Sequence, residues 1–233
     1  MIILRLAEEQ NTQKKRSLKR KKRNVKEELF NYSRSGIIID NKPHFVISVT
    51  EKTLEDFEFQ QLLDKYKGSI IVPENLETQP EISKLVFDAT PFMKKAVFEN
   101  FRIMICNGDY KDATLLIKDM DFLLSDEIPG LLPYVKSITV YTSSLKSVKE
   151  WQENCFVEYG VKPKVVSDEK ASFMKFDVFA DFENIENDYL KISIYNEIKK
   201  IYPNFKFLQI PDELKILENF NISKKMICAA FKR

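Results

Sequence analysis

The chain has 233 residues, 44% of them apolar and 31% charged, which allows two modest cores and is ordinary for a globular protein. No apolar run reaches the roughly 20 residues of a membrane helix. The opening MIILRLAEEQ lacks the basic segment and longer apolar core of an export signal, so a cytoplasmic protein is expected. Three widely spaced cysteines make no disulfide framework, and a single histidine excludes a metal site built on several His ligands. The net charge of +2 hides an asymmetry. Residues 14–23 hold eight of the 37 basic residues and no acid, leaving 29 basic against 35 acidic residues elsewhere, a net of −6.

In chain order, residues 2–6 read as a strand. From Glu8 to Tyr32 there is no Pro or Gly, and Lys, Arg, Glu and Gln dominate, so a long polar helix or a loop is expected. Gly36–Asp40 and His44–Val49 flank a turn-forming Asp-Asn-Lys-Pro, as a β-hairpin does. Thr53-Leu-Glu-Asp56 has the form of a capping box opening a helix to Lys67, with Gly68 as its left-handed stop. Ser69–Val72 and Leu85–Phe87 read as strands, with a loop over 73–83. Asp88–Pro91 marks a domain joint, where Thr90 can cap a helix with Pro91 at its first position; the helix runs through Phe92, Ala96, Val97, Phe101 and Met104 and is ended by Asn107-Gly-Asp.

The second half alternates more regularly. Thr114–Lys118 and Ser137–Tyr141 are short apolar strands, separated by a crossover whose Pro129, Gly130 and Pro133 keep any helix short. Ser144 can cap a helix whose apolar positions, Leu145, Val148, Trp151, Cys155, Phe156 and Tyr159, form a core stripe ended by Gly160. Lys164–Val166 and Asp177–Ala180 are further strands. A helix is expected over Ile192–Tyr202, a strand over Phe205–Ile210 and a mostly helical tail after Pro211. The fold class is therefore α/β: a small mixed domain over 1–88, then a Rossmann-like parallel-sheet domain over 89–233.

Ligands of such sheets bind beyond the carboxyl ends of the strands. That rim carries Asp119, Asp121, Thr142, Ser143, Ser144, Ser167 and Asp181. Over about 88–182 the layout resembles two-domain dehydrogenases of the shikimate dehydrogenase type, which implies NAD(P). The Gly-x-Gly-x-x-Gly that a pyrophosphate needs is replaced by Lys118-Asp-Met-Asp-Phe-Leu-Leu-Ser-Asp-Glu127, whose four carboxylates repel phosphate, so NAD(P) is not expected. A second resemblance is local. Asp119-Met-Asp121 after one strand and Thr142-Ser143 after the next are similar to the haloacid dehalogenase superfamily. That resemblance implies Asp119 as nucleophile, Asp121 as acid/base, Thr142 as phosphate ligand and Mg²⁺ on the two aspartates. Phe122-Leu-Leu departs from the Gly and then Thr or Val usual in that family. The competing reading of the triplet is an acidic turn facing solvent.

The basic run Lys14, Lys15, Arg16, Lys19, Arg20, Lys21, Lys22 and Arg23 is a candidate nucleic-acid grip. No aromatic residue is interleaved with it, so a solvated charged segment is the alternative. His44 and Trp151 read as structural, and Cys155, on the apolar stripe, as inert. Three functions follow from the sequence. The first is a Rossmann-like protein binding a small ligand or a protein partner. The second is an Mg²⁺-dependent phosphohydrolase. The third is a nucleic-acid-associated protein.

Overall fold

The computed structural model describes residues 1–6, 32–39, 41–77, 79–167, 175–186, 188–203 and 208–231. The basic run 14–23, all but the last residue of the helix expected over 8–32, and the first half of the strand expected over 205–210 lie outside these residues.

The chain divides into two units, one of Met1–Ala89 with Gln209–Arg233 and the other of Thr90–Leu208. The sequence places the tail in the second domain; the structure returns it to the first. The cause is visible in β1 (Ile2–Leu6), whose Ile2, Ile3 and Leu4 are all buried. A strand buried on both faces needs two covering layers. Ile2 and Leu4 pack with Ile47, Val49, Leu54, Phe59 and Leu63 on one side. Ile3 packs on the other with Ile39, Val46 and Ile71, and with Leu214, Leu217, Met226 and Ile227 from the tail.

The first unit's sheet is mixed. The hairpin β2 (Ser33–Ile39) and β3 (Lys42–Val49) is antiparallel, turning through Asn41 at φ 57°. β1 runs parallel to β3 and to β4 (Ile70–Ile71), giving the order β2-β3-β1-β4. The expected capping box is split between two helices. Thr50 caps α1 (Glu51–Leu54), and Asp56 is itself the N-cap of α2 (Phe57–Asp64), accepting from the N–H groups of Glu58 at 2.9 Å and Phe59 at 3.2 Å. The loop expected over 73–83 contains two single helical turns, α3 (Glu74–Glu77) and α4 (Pro80–Ser83). Val86 makes only an isolated parallel bridge with Ile70.

His44, on β3, is 8% exposed, its Nδ1 lacks a hydrogen-bond partner among the described residues, and its ring meets Phe231 edge-on at 5.4 Å. Burial holds the imidazole below its usual pKa, and the cationic Met1 amino group and Lys42 push the same way. A depressed folded pKa means that the neutral form stabilises the fold. That contribution is complete above the unfolded pKa, about 6.5, and is lost as pH falls through the lower folded value. Urea unfolding of the first unit is therefore expected to weaken as pH falls below about 6.5, and His44→Phe to flatten that dependence.

The second unit begins with α5 (Thr90–Asn107) and carries a six-stranded sheet. Its strands are β5 (Thr114–Lys118), β6 (Ser137–Tyr141), β7 (Lys164–Val166), β8 (Val178–Glu186), β9 (Tyr189–Ile194) and β10 (Glu197–Ile201). The order is β10-β9-β8-β5-β6-β7. β5 is parallel to β6 and β8, and β6 to β7. Read from β7, the parallel strands run third, second, first, fourth, the layout of a Rossmann half-sheet. The crossover from β5 to β6 is a 3₁₀ segment, Ile128–Tyr134, short as its prolines require.

Where a helix was expected over 192–202, the chain makes the antiparallel hairpin β9–β10. Leu190, Ile192 and Ile194 alternate with Lys191 and Ser193, a period of two, and Asn196 at φ 61° makes the turn. The helix α6 (Val148–Tyr159) starts later than Ser144 implies and stops at Gly160, φ 72°. Leu145 therefore precedes it, and both Leu145 and Phe156 are exposed; only Trp151 and Cys155 of the expected stripe are fully buried.

The apolar side chains of α5 (Val97, Phe98, Phe101, Ile105), of the 3₁₀ segment and of α6 form one cluster with Leu115, Ile117, Ile138, Val140, Val178, Ala180 and Phe182. Those strand positions share one face of the sheet. The described helices of this unit thus lie in a single layer, and the opposite face carries Thr114, Lys118, Thr139, Tyr141 and Lys164. No helix among the described residues is long and apolar enough to cross a membrane.

Candidate functional site

The register sets the site. Lys118 pairs with Tyr141 on one side and Asp181 on the other, so β5 and β6 end level with Asp181, where β8 runs on to Glu186. Asp119 continues β5, with its N–H donating to the Tyr141 carbonyl at 3.0 Å, and Thr142 continues β6, its N–H donating to Val166 at 3.0 Å. This is the carboxyl end of the parallel strands, where a small ligand of such a sheet would bind.

The mouth is occupied by side chains of the protein. Lys94 on α5 is 1% exposed and Asp119 is fully buried. The Lys94 ammonium donates to Asp119 Oδ1 at 3.1 Å and to Glu183 Oε1 at 2.5 Å, with Asp121 at 4.0 Å. The second oxygen of Asp119 accepts from the Leu124 N–H at 2.8 Å. One cation thus serves three carboxylates. Burial alone would lower the Lys94 pKa, but its hydrogen bonds to Glu183 and Asp119 hold it above the ordinary value. Lys94 is therefore an ammonium at neutral pH, neither a base nor a nucleophile. Asp119 sits on the other side of the same imbalance. Burial pushes its pKa up, and Glu183 adds repulsion, against the Leu124 N–H and Lys94, which favour the carboxylate.

Met120 is the hub between the strands. Its N–H donates to Glu183 at 2.8 Å, and its carbonyl accepts from Thr142 Oγ1 and Ser143 Oγ, both at 2.9 Å. Ser144 closes the turn by donating its N–H to Thr142 Oγ1 at 3.1 Å. Phe122 then adopts φ 58°, in the left-handed region that a bulky side chain occupies only at a cost. Its ring is 6% exposed and meets Trp151 edge-on at 5.1 Å, and the indole N–H donates to the Ser125 carbonyl.

The expected rim residues divide accordingly. Asp119, Thr142, Ser143 and Ser144 converge on the β5–β6 turn, with Asp119 and Thr142 buried. Asp121 is exposed, and so is Ser167. Asp181 is held by Lys118 at 3.0 Å and by Asn184 at 2.6 Å, and its other oxygen accepts from the Glu183 N–H. The hydroxyls of Thr142 and Ser143 are thus committed to a backbone carbonyl. Among the described residues no group of three or more His, Cys, Asp or Glu side chains is placed to hold a metal ion. Elsewhere, a cavity of about 340 Å³ lined by Glu51, Leu54, Glu55 and Gln79 lies in the first unit and contains none of the expected site residues.

Two members of the cluster were not anticipated from the sequence, Lys94 and Glu183. Lys94 left a readable sign: it stands three, four, seven and eleven residues before Val97, Phe98, Phe101 and Ile105, in phase with the buried stripe of α5. A lysine on an apolar face calls for a buried counter-ion. Glu183 gave no such sign, because it lies within a register shift of the β8–β9 pairing, between Ala180 and Ile185, that the strand pattern does not announce.

No protein-family model matches the chain, and no curated protein matches it. Among solved structures, the chain is similar to the L-tryptophan dehydrogenase from Nostoc punctiforme, at 14% identity and a TM-score of 0.32, over 60% of this chain and 44% of that one. The chain thus spans less than half the length of that enzyme.

Proposed function

We propose that the chain is a binding protein that works through a protein partner rather than through a small ligand at its strand ends. The observation that supports this reading is the Lys94 ammonium seated between Asp119 and Glu183, in the crevice a small ligand would need. A phosphate or dinucleotide placed there meets three carboxylates against one cation, and displacing Lys94 leaves Asp119 buried without a counter-charge. The test is titration with NADH, NADPH, ATP and inorganic phosphate, followed by amide NMR. The amides of Met120, Ser143 and Ser144 are expected not to move; saturable shifts at all three would overturn the reading.

The phosphohydrolase reading keeps one supporting observation, the convergence of Asp119 and Thr142 on the Met120 turn. As arranged, both oxygens of Asp119 are engaged, by Lys94 and by the Leu124 N–H, so Asp119 and Asp121 do not offer Mg²⁺ a free pair of oxygens. Mg²⁺-dependent turnover of an aryl phosphate that disappears in Asp119→Asn would establish that reading and sink the first.

A further inference from the structure

We propose that β10 is a self-recognition edge, through which two copies of the chain pair antiparallel about a two-fold axis at Ile198. This goes beyond the partner reading and does not depend on it.

β10 is the last strand of its sheet. The Tyr195 N–H donates to the Asp177 carbonyl, on the β8 side. Main-chain groups alternate sides along a strand, so the odd-numbered residues of β9 face β8 and Leu190, Ile192 and Ile194 face β10. Their register partners, Ile201, Lys199 and Glu197, therefore spend their main-chain groups on β9. Ile198 and Lys200 turn theirs outward, to a side that no other strand among the described residues occupies.

The edge keeps an exposed apolar residue among its charges. Ile198, its second residue, is 73% exposed, and Tyr195, in the turn before the strand, is 81% exposed. Natural edges are blunted by short strands, lysines, prolines, bulges or inward charges; β10 is short and carries Lys199 and Lys200, which keeps its pairing weak. The same charges choose a register. Centring an antiparallel pair on Lys199 sets lysine against lysine, and centring it on Lys200 does the same. Centring it on Ile198 sets Ile198 against its own copy, and each Glu197 against Lys199 of the other copy. Opposite charges directly across a ladder are favourable, and like charges there are not. Glu197 and Lys199 already share one face of β10, their charged groups 3.7 Å apart, so the inter-copy pairs extend an existing ion pair. A five-residue strand offers a small interface, at the low end of specific contacts, so the association is concentration-dependent.

The test is sedimentation velocity on the full chain between about 10 µM and 1 mM, the range expected of a small interface. A monomer–dimer equilibrium is expected. Glu197→Lys should weaken it roughly tenfold by setting lysine against lysine twice. The double variant Glu197→Lys/Lys199→Glu should restore it, because the exchanged charges meet again across the axis. Ile198→Pro removes an outward N–H while leaving the β9 ladder intact, and should abolish the dimer with the far-ultraviolet spectrum unchanged. A monomer throughout the range overturns the proposal. So does a dimer that survives Ile198→Pro, or a double variant as weak as the single one.

Discussion

Replacing Lys94 by Met is expected to destabilise the second unit by about 3–5 kcal/mol, the cost of stranding a buried charge. The variant keeps the length of the side chain and removes the cation, leaving Asp119 buried against the Leu124 N–H alone. The carboxyl then takes up a proton more readily, so its folded pKa rises further. A carboxyl whose folded pKa is raised stabilises the fold fully below its unfolded value and loses that contribution as pH rises through the folded one. The deficit of Lys94→Met should accordingly be smaller at pH 5 than at pH 8, measured by urea unfolding. Adding Asp119→Asn to it removes the stranded charge and should return part of the loss, giving a coupling energy on the scale of 0.5–3 kcal/mol. A deficit below about 1 kcal/mol would place the ion cluster among contacts of little net worth.

Leu217→Ala is expected to cost the first unit about 2–5 kcal/mol. Leu217 is fully buried and packs with Ile3, Val46 and Ile71, the face of the sheet that the tail covers. Hydrogen exchange should speed up at the amides of β1 and β3 while those of β5 and β6 keep their protection. If β5 and β6 lose protection instead, the tail belongs with the second half, as the sequence alone indicates.

The parallel strands were legible because Thr114–Lys118 and Ser137–Tyr141 are short β-branched and apolar runs bounded by breaks, and a crossover fixes their direction. The hairpin β9–β10 is not legible as one, because Ile192, Ile194, Ile198 and Ile201 can be fitted to either a helical or a strand period over so short a run. The tail's place was illegible for a different reason. Nothing local to Leu214 or Ile227 says which distant sheet face lacks a cover; that follows only from β1 being buried on both sides. At the site, Asp119 and Thr142 were found at the right strand ends, but a strand-end aspartate looks the same in sequence whether it faces a ligand or a lysine of its own chain. The basic run 14–23 stays a statement about charge.

The left-handed Phe122 bears on what this loop could become. Its backbone conformation costs about 1–2 kcal/mol relative to an ordinary one, and the ring recovers that by standing on Trp151. A glycine at this position would relax the backbone, as dinucleotide loops require, yet it would also take away the aromatic stack that holds the turn over the core. The acidic chain before it would still repel a pyrophosphate. Relaxing Phe122 alone would therefore leave in place the carboxylates that oppose a nucleotide.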